Sequence, residues 1–234
     1  MPQEITDLKN VDPRWKDLYW LGGILNILIA VSIVFAIIAY FIWPFKPGLT
    51  STENIFATLQ ANLFGGLMSL DLSLLVIGLI NILPLLALYA ALKQVNESYA
   101  LIALILGLVS VAALIPSRPL IELISLSDKY AAATSESERI QYLAAGESLH
   151  SLFNGTAWMV YTILGNISTL ISCALILQSN IFSKFLAYIG IVSAISAMAV
   201  FAPAIGPIVS LLATFGGVIW SVMIARDLFR LSKI

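Results

Sequence analysis

The sequence predicts an all-α fold, a polytopic integral membrane bundle of six transmembrane helices with a short helical cap on the outer face. Three observations predict it. First, the 234 residues are 60% hydrophobic and only 11% charged, against about 25% charged in a soluble domain, and the mean hydropathy is +0.97. Second, residues 18–45, 72–92, 98–117, 151–183 and 185–225 hold no Asp, Glu, Lys or Arg. A bilayer-spanning helix needs about 20 apolar residues, so these windows have room for six spans. Third, the apolar runs are continuous, whereas barrel strands would alternate every second residue. Residues 1–234 read as a single transmembrane domain.

The N-terminal segment, about 1–19, mixes Glu4, Asp7, Asp12 and Asp17 with Lys9, Arg14 and Lys16. The apolar run behind it is too long for a signal h-region and lacks a small-residue cleavage site, so no cleavable signal is expected. Span one covers about 20–43, with Trp20 and Trp43 in the interfacial belts, and Pro44 and Pro47-Gly48 stop it. Residues 54–70, interrupted by Asn62 and Gly65-Gly66, read as a surface or re-entrant helix. Span two, about 70–92, ends at Lys93, and a tight turn at Gln94–Glu97 leads into span three, about 98–115, closed by Pro116 and Pro119. Residues 117–152 form a polar excursion with two short helices, about 119–132 and 136–150. Ser135 and Glu138 have capping-box spacing, which satisfies the first amides of the second helix. The segment is either a solvated connection or a lid. Spans four and five cover about 155–178 and 184–202; Pro203 and Gly206-Pro207 then turn the chain into span six, about 207–226.

Orientation follows from the cations. Lys9, Arg14, Lys16, Lys93, Lys184, Arg226, Arg230 and Lys233 fall on one side, and Lys46, Arg118, Lys129 and Arg139 on the other. The excess marks the cytoplasmic side. The expectation is a multi-pass protein of the cell membrane with both termini cytoplasmic.

Composition removes several chemistries. The net charge of −1 leaves no basic surface for nucleic acid. The one histidine, His150, is too few for a bis-His haem, a three-His zinc or a two-His-one-carboxylate iron site within one chain, and the one cysteine, Cys173, can form no disulfide within it. No cofactor or metal is expected. Polar side chains within spans are the default functional candidates. Asn81 in span two and Asn166 in span four fall near the midplanes, and Tyr161 lies on span four with them. Pro84 cannot donate to the carbonyl of Ile80, which frees an acceptor beside Asn81. The two asparagines either line a small polar pocket or bond to each other and fix packing. Asn26 lies within span one, and Ser168, Thr169 and Ser172 within span four. Small-residue stripes at Gly22, Asn26 and Ala30, and at Gly206, Ser210, Gly217 and Ser221, predict close helix approach. Asp71, at the outer end of span two, is either a cation or proton site or an interfacial carboxylate in water. On the outer face, Glu147 and His150 have the Glu-x-x-His spacing of di-iron bundles, but there is one such motif where those sites need two.

Several stretches carry a resemblance: Leu88-Tyr89-Ala90-Ala91-Leu92-Lys93-Gln94-Val95-Asn96, Lys129–Thr134 with Ser137-Glu138-Arg139, Asn154-Gly155-Thr156-Ala157-Trp158, Ser179–Lys184, and Trp220 with Ala225-Arg226-Asp227-Leu228. Over roughly 15–234 the chain resembles a bacterial family of six-helix membrane proteins known only as a domain of unknown function. The resemblance implies the six-helix layout and carries over no catalytic residue and no ligand.

Three functions are left by the sequence. The best supported is a non-enzymatic binding or interaction protein that holds a membrane lipid, a small apolar ligand or a partner membrane protein; its small-residue faces are compatible with a homo-oligomer. The alternatives are a small-solute transporter or channel, and an intramembrane enzyme using Asp71, Glu147 and His150 as its acid–base set.

Overall fold

The structure is a computed structural model, and it describes residues 11–43, 50–202 and 206–233. The stops expected at Pro44, Pro47-Gly48 and Pro203 lie outside the described residues, as do Glu4, Asp7, Lys9 and Lys46. The described chain is helical without strands. Its α-helices are α1 (Lys16–Ile42), α2 (Thr52–Ala61), α3 (Leu63–Ser69), α4 (Leu72–Ile80), α5 (Ile82–Leu92), α6 (Glu97–Leu114), α7 (Leu120–Ala132), α8 (Glu136–Ser151), α9 (Thr156–Gln178), α10 (Lys184–Met198) and α11 (Gly206–Leu231). Among the described residues, six helical stretches are long and apolar enough to cross a membrane. The chain is therefore a multi-pass membrane protein. Its last helix runs to Leu231, beyond the expected end of span six, because the charged turn from Arg226 onward continues the same helix.

The chain forms two compact units. The first comprises Met1–Val34, Ile77–Val111 and Tyr161–Ile234. Its core is built on small residues: Ala87, Ala90 and Ala91 of α5 are wholly buried, beside Tyr19, Leu175, Ile176, Leu186 and Leu228. Gly22 shows why the spacing matters, since a Cβ there would sit 2.7 Å from the Cβ of Ala87 and 3.2 Å from Leu228. Asn26 and Ala30 continue this buried stripe. On α11 a Cβ on Gly206 would sit 2.5 Å from the Ala199 carbonyl oxygen and one on Gly216 would strike the Ser193 side chain, whereas a Cβ on Gly217 would meet only Ile33 at 3.6 Å, an ordinary contact. Of the expected stripe, Gly206 is tight and Ser221 is buried, while the close approach expected at Gly217 falls one residue earlier, at Gly216.

Charged side chains close the α9–α10 corner of this unit. A helix leaves its last carbonyls without partners, and Lys184 Nζ donates to those of Ile176 (3.3 Å), Leu177 (2.6 Å) and Ser179. Arg230 donates to the Ile181 carbonyl at 2.6 Å, and the Asp227 carboxylate accepts from the Ser183 amide at 3.3 Å. Asp227 is almost fully buried and is also paired with Arg226 at 2.9 Å. Two of the stretches carrying the family resemblance, 179–184 and 225–228, are thus joined here.

The second unit comprises Phe35–Val76 and Ala112–Val160. Its core is Ile55, Phe56, Leu59, Leu70, Leu120, Leu123 and Phe153. The two helices expected in the polar excursion are α7 and α8, and the Ser135–Glu138 capping box is formed in both directions. Gln60 donates to Ser127 (3.0 Å) and Asp128 (2.8 Å), and Ser127 donates to the Phe56 carbonyl at 3.1 Å, tying α2 to α7. Between α2 and α3, Asn62 ends one helix and caps the next, its side chain accepting from the Gly65 amide at 2.9 Å. Gly65 and Gly66 do not interrupt the helix. They lie inside α3, where a Cβ would strike Trp43 or Leu59 at 2.6 and 2.8 Å.

Candidate functional site

In the first unit, span two is interrupted at Asn81, between α4 and α5. Pro84 supplies the cause, since it has no N–H for the Ile80 carbonyl. The flanking rungs persist: the Asn81 amide donates to Ile77 and the Leu85 amide to Asn81, both at 3.0 Å. The Asn81 side chain makes no hydrogen bond among the described residues. It lines a cavity of about 60 Å³ together with Asn26, Ser168, Thr169, Ser172 and Trp220, the remainder being Pro84 and three aliphatic side chains. A neighbouring crevice between Leu85, Tyr89, Ala103 and Ser172 holds only about 10 Å³, at the lower limit for one water.

The polar side chains are placed by their own helices. Asn26 donates to Gly22 O at 2.8 Å, Thr169 to Gly165 O at 3.0 Å and Ser172 to Ser168 O at 2.9 Å. Ser168 reaches across to the Ala103 carbonyl of α6 at 2.6 Å. Asn166 is not among the residues lining the cavity; its amide donates to Thr162 O of its own helix at 2.7 Å. Among the described residues, no hydrogen bond joins it to Asn81. Tyr161 contributes its carbonyl, which accepts from Ser110 at 2.9 Å. Asn26, Ser168, Thr169 and Ser172 were visible only as polar residues within spans, and nothing in their spacing showed that they share one cavity with Asn81.

Asp71 belongs to the second unit and is engaged. Its carboxylate lies 3.1 Å from the Arg118 guanidinium, with side-chain exposures of 34% for Asp71 and 3% for Arg118. Asp71 carries a φ of +64°, a left-handed conformation that Asp tolerates better than most residues. That conformation turns the chain from α3 into α4, whose first amides, Leu74 and Leu75, donate to the Asp71 carbonyl at 3.0 and 3.2 Å. Arg118 also donates to the carbonyls of Ser117 (2.9 Å) and Phe153 (3.3 Å), and lies over the rings of Trp158 (4.4 Å) and Phe153 (5.0 Å). Sequence reasoning counted Arg118 only as an outer charge. The signal available was its isolation between Pro116 and Pro119 in a strongly apolar stretch.

Glu147 is exposed on α8. His150 is half-buried, with its ring edge-on to Phe153 at 6.0 Å, and burial pulls its pKa below the usual histidine range. Among the described residues, no group of three or more His, Cys, Asp or Glu side chains can hold a metal ion.

No curated protein and no solved structure matches the chain. A family model does match, and it covers residues 21–225, from the first turns of α1 to the residue before the charged end of α11. The chain accordingly belongs to the family described as Domain of unknown function (DUF4386).

Proposed function

We infer that the protein is a non-enzymatic binding protein of the cell membrane, with both termini cytoplasmic, which holds a small ligand in the cavity beside Asn81. The observation that carries this reading is Asn81 itself. An amide within a span needs a partner, and this one faces a polar cavity with its hydrogen-bonding capacity unspent. Native mass spectrometry of the detergent-released protein tests it. A discrete small-molecule adduct is expected on the wild type and on Asn166→Leu, whose side chain is not among those lining the cavity, but not on Asn81→Leu. No adduct on the wild type, or one retained by Asn81→Leu, refutes it.

The interruption of span two supports a second reading, a small-solute transporter, because discontinuous helices form midplane sites in such proteins. Uptake into proteoliposomes separates the two: a binding protein saturates without accumulating solute. An enzyme built on Asp71, Glu147 and His150 gains no support, since the Asp71 carboxylate is engaged by Arg118.

A further inference from the structure

A ligand's class is set by what a cavity has left to offer, and here the hydroxyl hydrogens are spent. A hydroxyl has one hydrogen to donate and two lone pairs to accept with. Ser168, Thr169 and Ser172 each give their hydrogen to a backbone carbonyl, and Asn26 gives one of its two amide hydrogens to Gly22 O. All four are left with oxygen lone pairs. Asn81 brings one more acceptor with its own amide hydrogens, and Trp220 brings a single indole donor. Acceptors therefore dominate, and the complementary ligand is a hydrogen-bond donor.

Charge and size narrow it further. No Asp, Glu, Lys or Arg lines the cavity. A charged ligand would stand within the membrane with no counter-charge, which weakens binding by roughly a hundredfold. The volume of about 60 Å³ is well below the roughly 150 Å³ of a cavity that takes benzene, so a ring does not fit. Resting on the binding reading above, we propose that the cavity takes a small neutral hydroxyl-bearing molecule, an alcohol or the hydroxyl head of a larger one, and discriminates against cations and anions.

Saturation-transfer NMR on the full chain in detergent micelles tests this with three probes of one shape: propan-1-ol, propylammonium and propionate. Propan-1-ol is expected to receive saturation and the two ions are not. Thr169→Val and Ser172→Ala remove acceptors whose hydrogens served only their own helix, so the fold is kept. Each is expected to weaken propan-1-ol binding about three- to tenfold. Partition of the alcohol into the micelle would be unchanged in these variants, and that result overturns the proposal. Equal or stronger binding of either ion overturns the neutral class while leaving the binding function standing. If no probe binds, the inference fails, and a native adduct that depends on Asn81 still upholds the function separately.

Discussion

The Asp71–Arg118 pair makes an asymmetric prediction. Removing one member of a buried ion pair costs about 3–5 kcal/mol, mostly because a charge is stranded. Here the two members are stranded differently. Arg118 is 3% exposed and Asp71 is 34% exposed, so a widowed carboxylate rehydrates and a widowed guanidinium does not. Asp71→Asn keeps the left-handed turn, since Asn also tolerates it, and is expected to destabilise by about 3 kcal/mol. Arg118→Met strands only the partly exposed carboxylate and withdraws a donor from the carbonyls of Ser117 and Phe153, at about 1 kcal/mol each. Its expected cost is about 2 kcal/mol. Once Met replaces Arg118, nothing remains for Asp71→Asn to strand. The double variant should therefore be no less stable than Arg118→Met alone, a coupling of about 3 kcal/mol, at the upper end for residues in contact. The assay is unfolding by SDS in neutral-detergent micelles, followed by circular dichroism. Additivity within about 0.5 kcal/mol, or Arg118→Met costing more than Asp71→Asn, refutes the reasoning.

Other outcomes follow from single features. Gly22→Ala drives a methyl to 2.7 Å from Ala87 and should cost about 1–3 kcal/mol, read in the same SDS titration; an unchanged midpoint contradicts the close approach of α1 and α5. Burial lowers the folded-state pKa of His150 below the ordinary value of about 6.5. Its contribution is thus complete above about pH 6.5, where both states are neutral, and is lost as pH falls and the unfolded state takes up a proton first. Protection of the amides of residues 136–152, taken relative to their intrinsic exchange rates, should fall between pH 7.5 and pH 5 in the wild type but less in His150→Gln; an equal fall in both rules out the histidine as its source. For orientation, a cysteine placed at Ser135 in a Cys173→Ala background should react with an impermeant maleimide in intact cells, whereas one at Ser232 should react only after lysis. The reverse pattern inverts the topology.

What the sequence made legible was whatever rests on neighbours along the chain. Charge-free windows long enough to span a bilayer mark the six crossings, because the penalty for a stranded charge acts residue by residue. The Ser135–Glu138 cap was readable for the same reason, as its partners lie one helical turn apart. The cavity was only partly so. Asn81 and Pro84 are adjacent in sequence and announce a disturbed helix, but Asn26, Ser168 and Trp220 join them only through packing of α1, α9 and α11. Asp71 and Arg118 belong to separate connecting segments, and nothing local pairs them. The Gly216–Gly217 doublet shows the finest limit, since two adjacent glycines differ in role only through the rotation of α11 against α10.

The clamp at the α9–α10 corner bears on biogenesis. Proteins are made from the N-terminus, so α11 leaves the ribosome after α9 and α10. Ile181 and Ser183 receive their partners, Arg230 and Asp227, from that later helix. Until it arrives, the corner between two already synthesised spans holds backbone groups with no protein partner from α11. A chain that stops just before Asp227 would keep all six spans and still present this open corner to the machinery that inspects new membrane proteins. Closure of this corner therefore waits on the emergence of α11, well after the two spans that flank it.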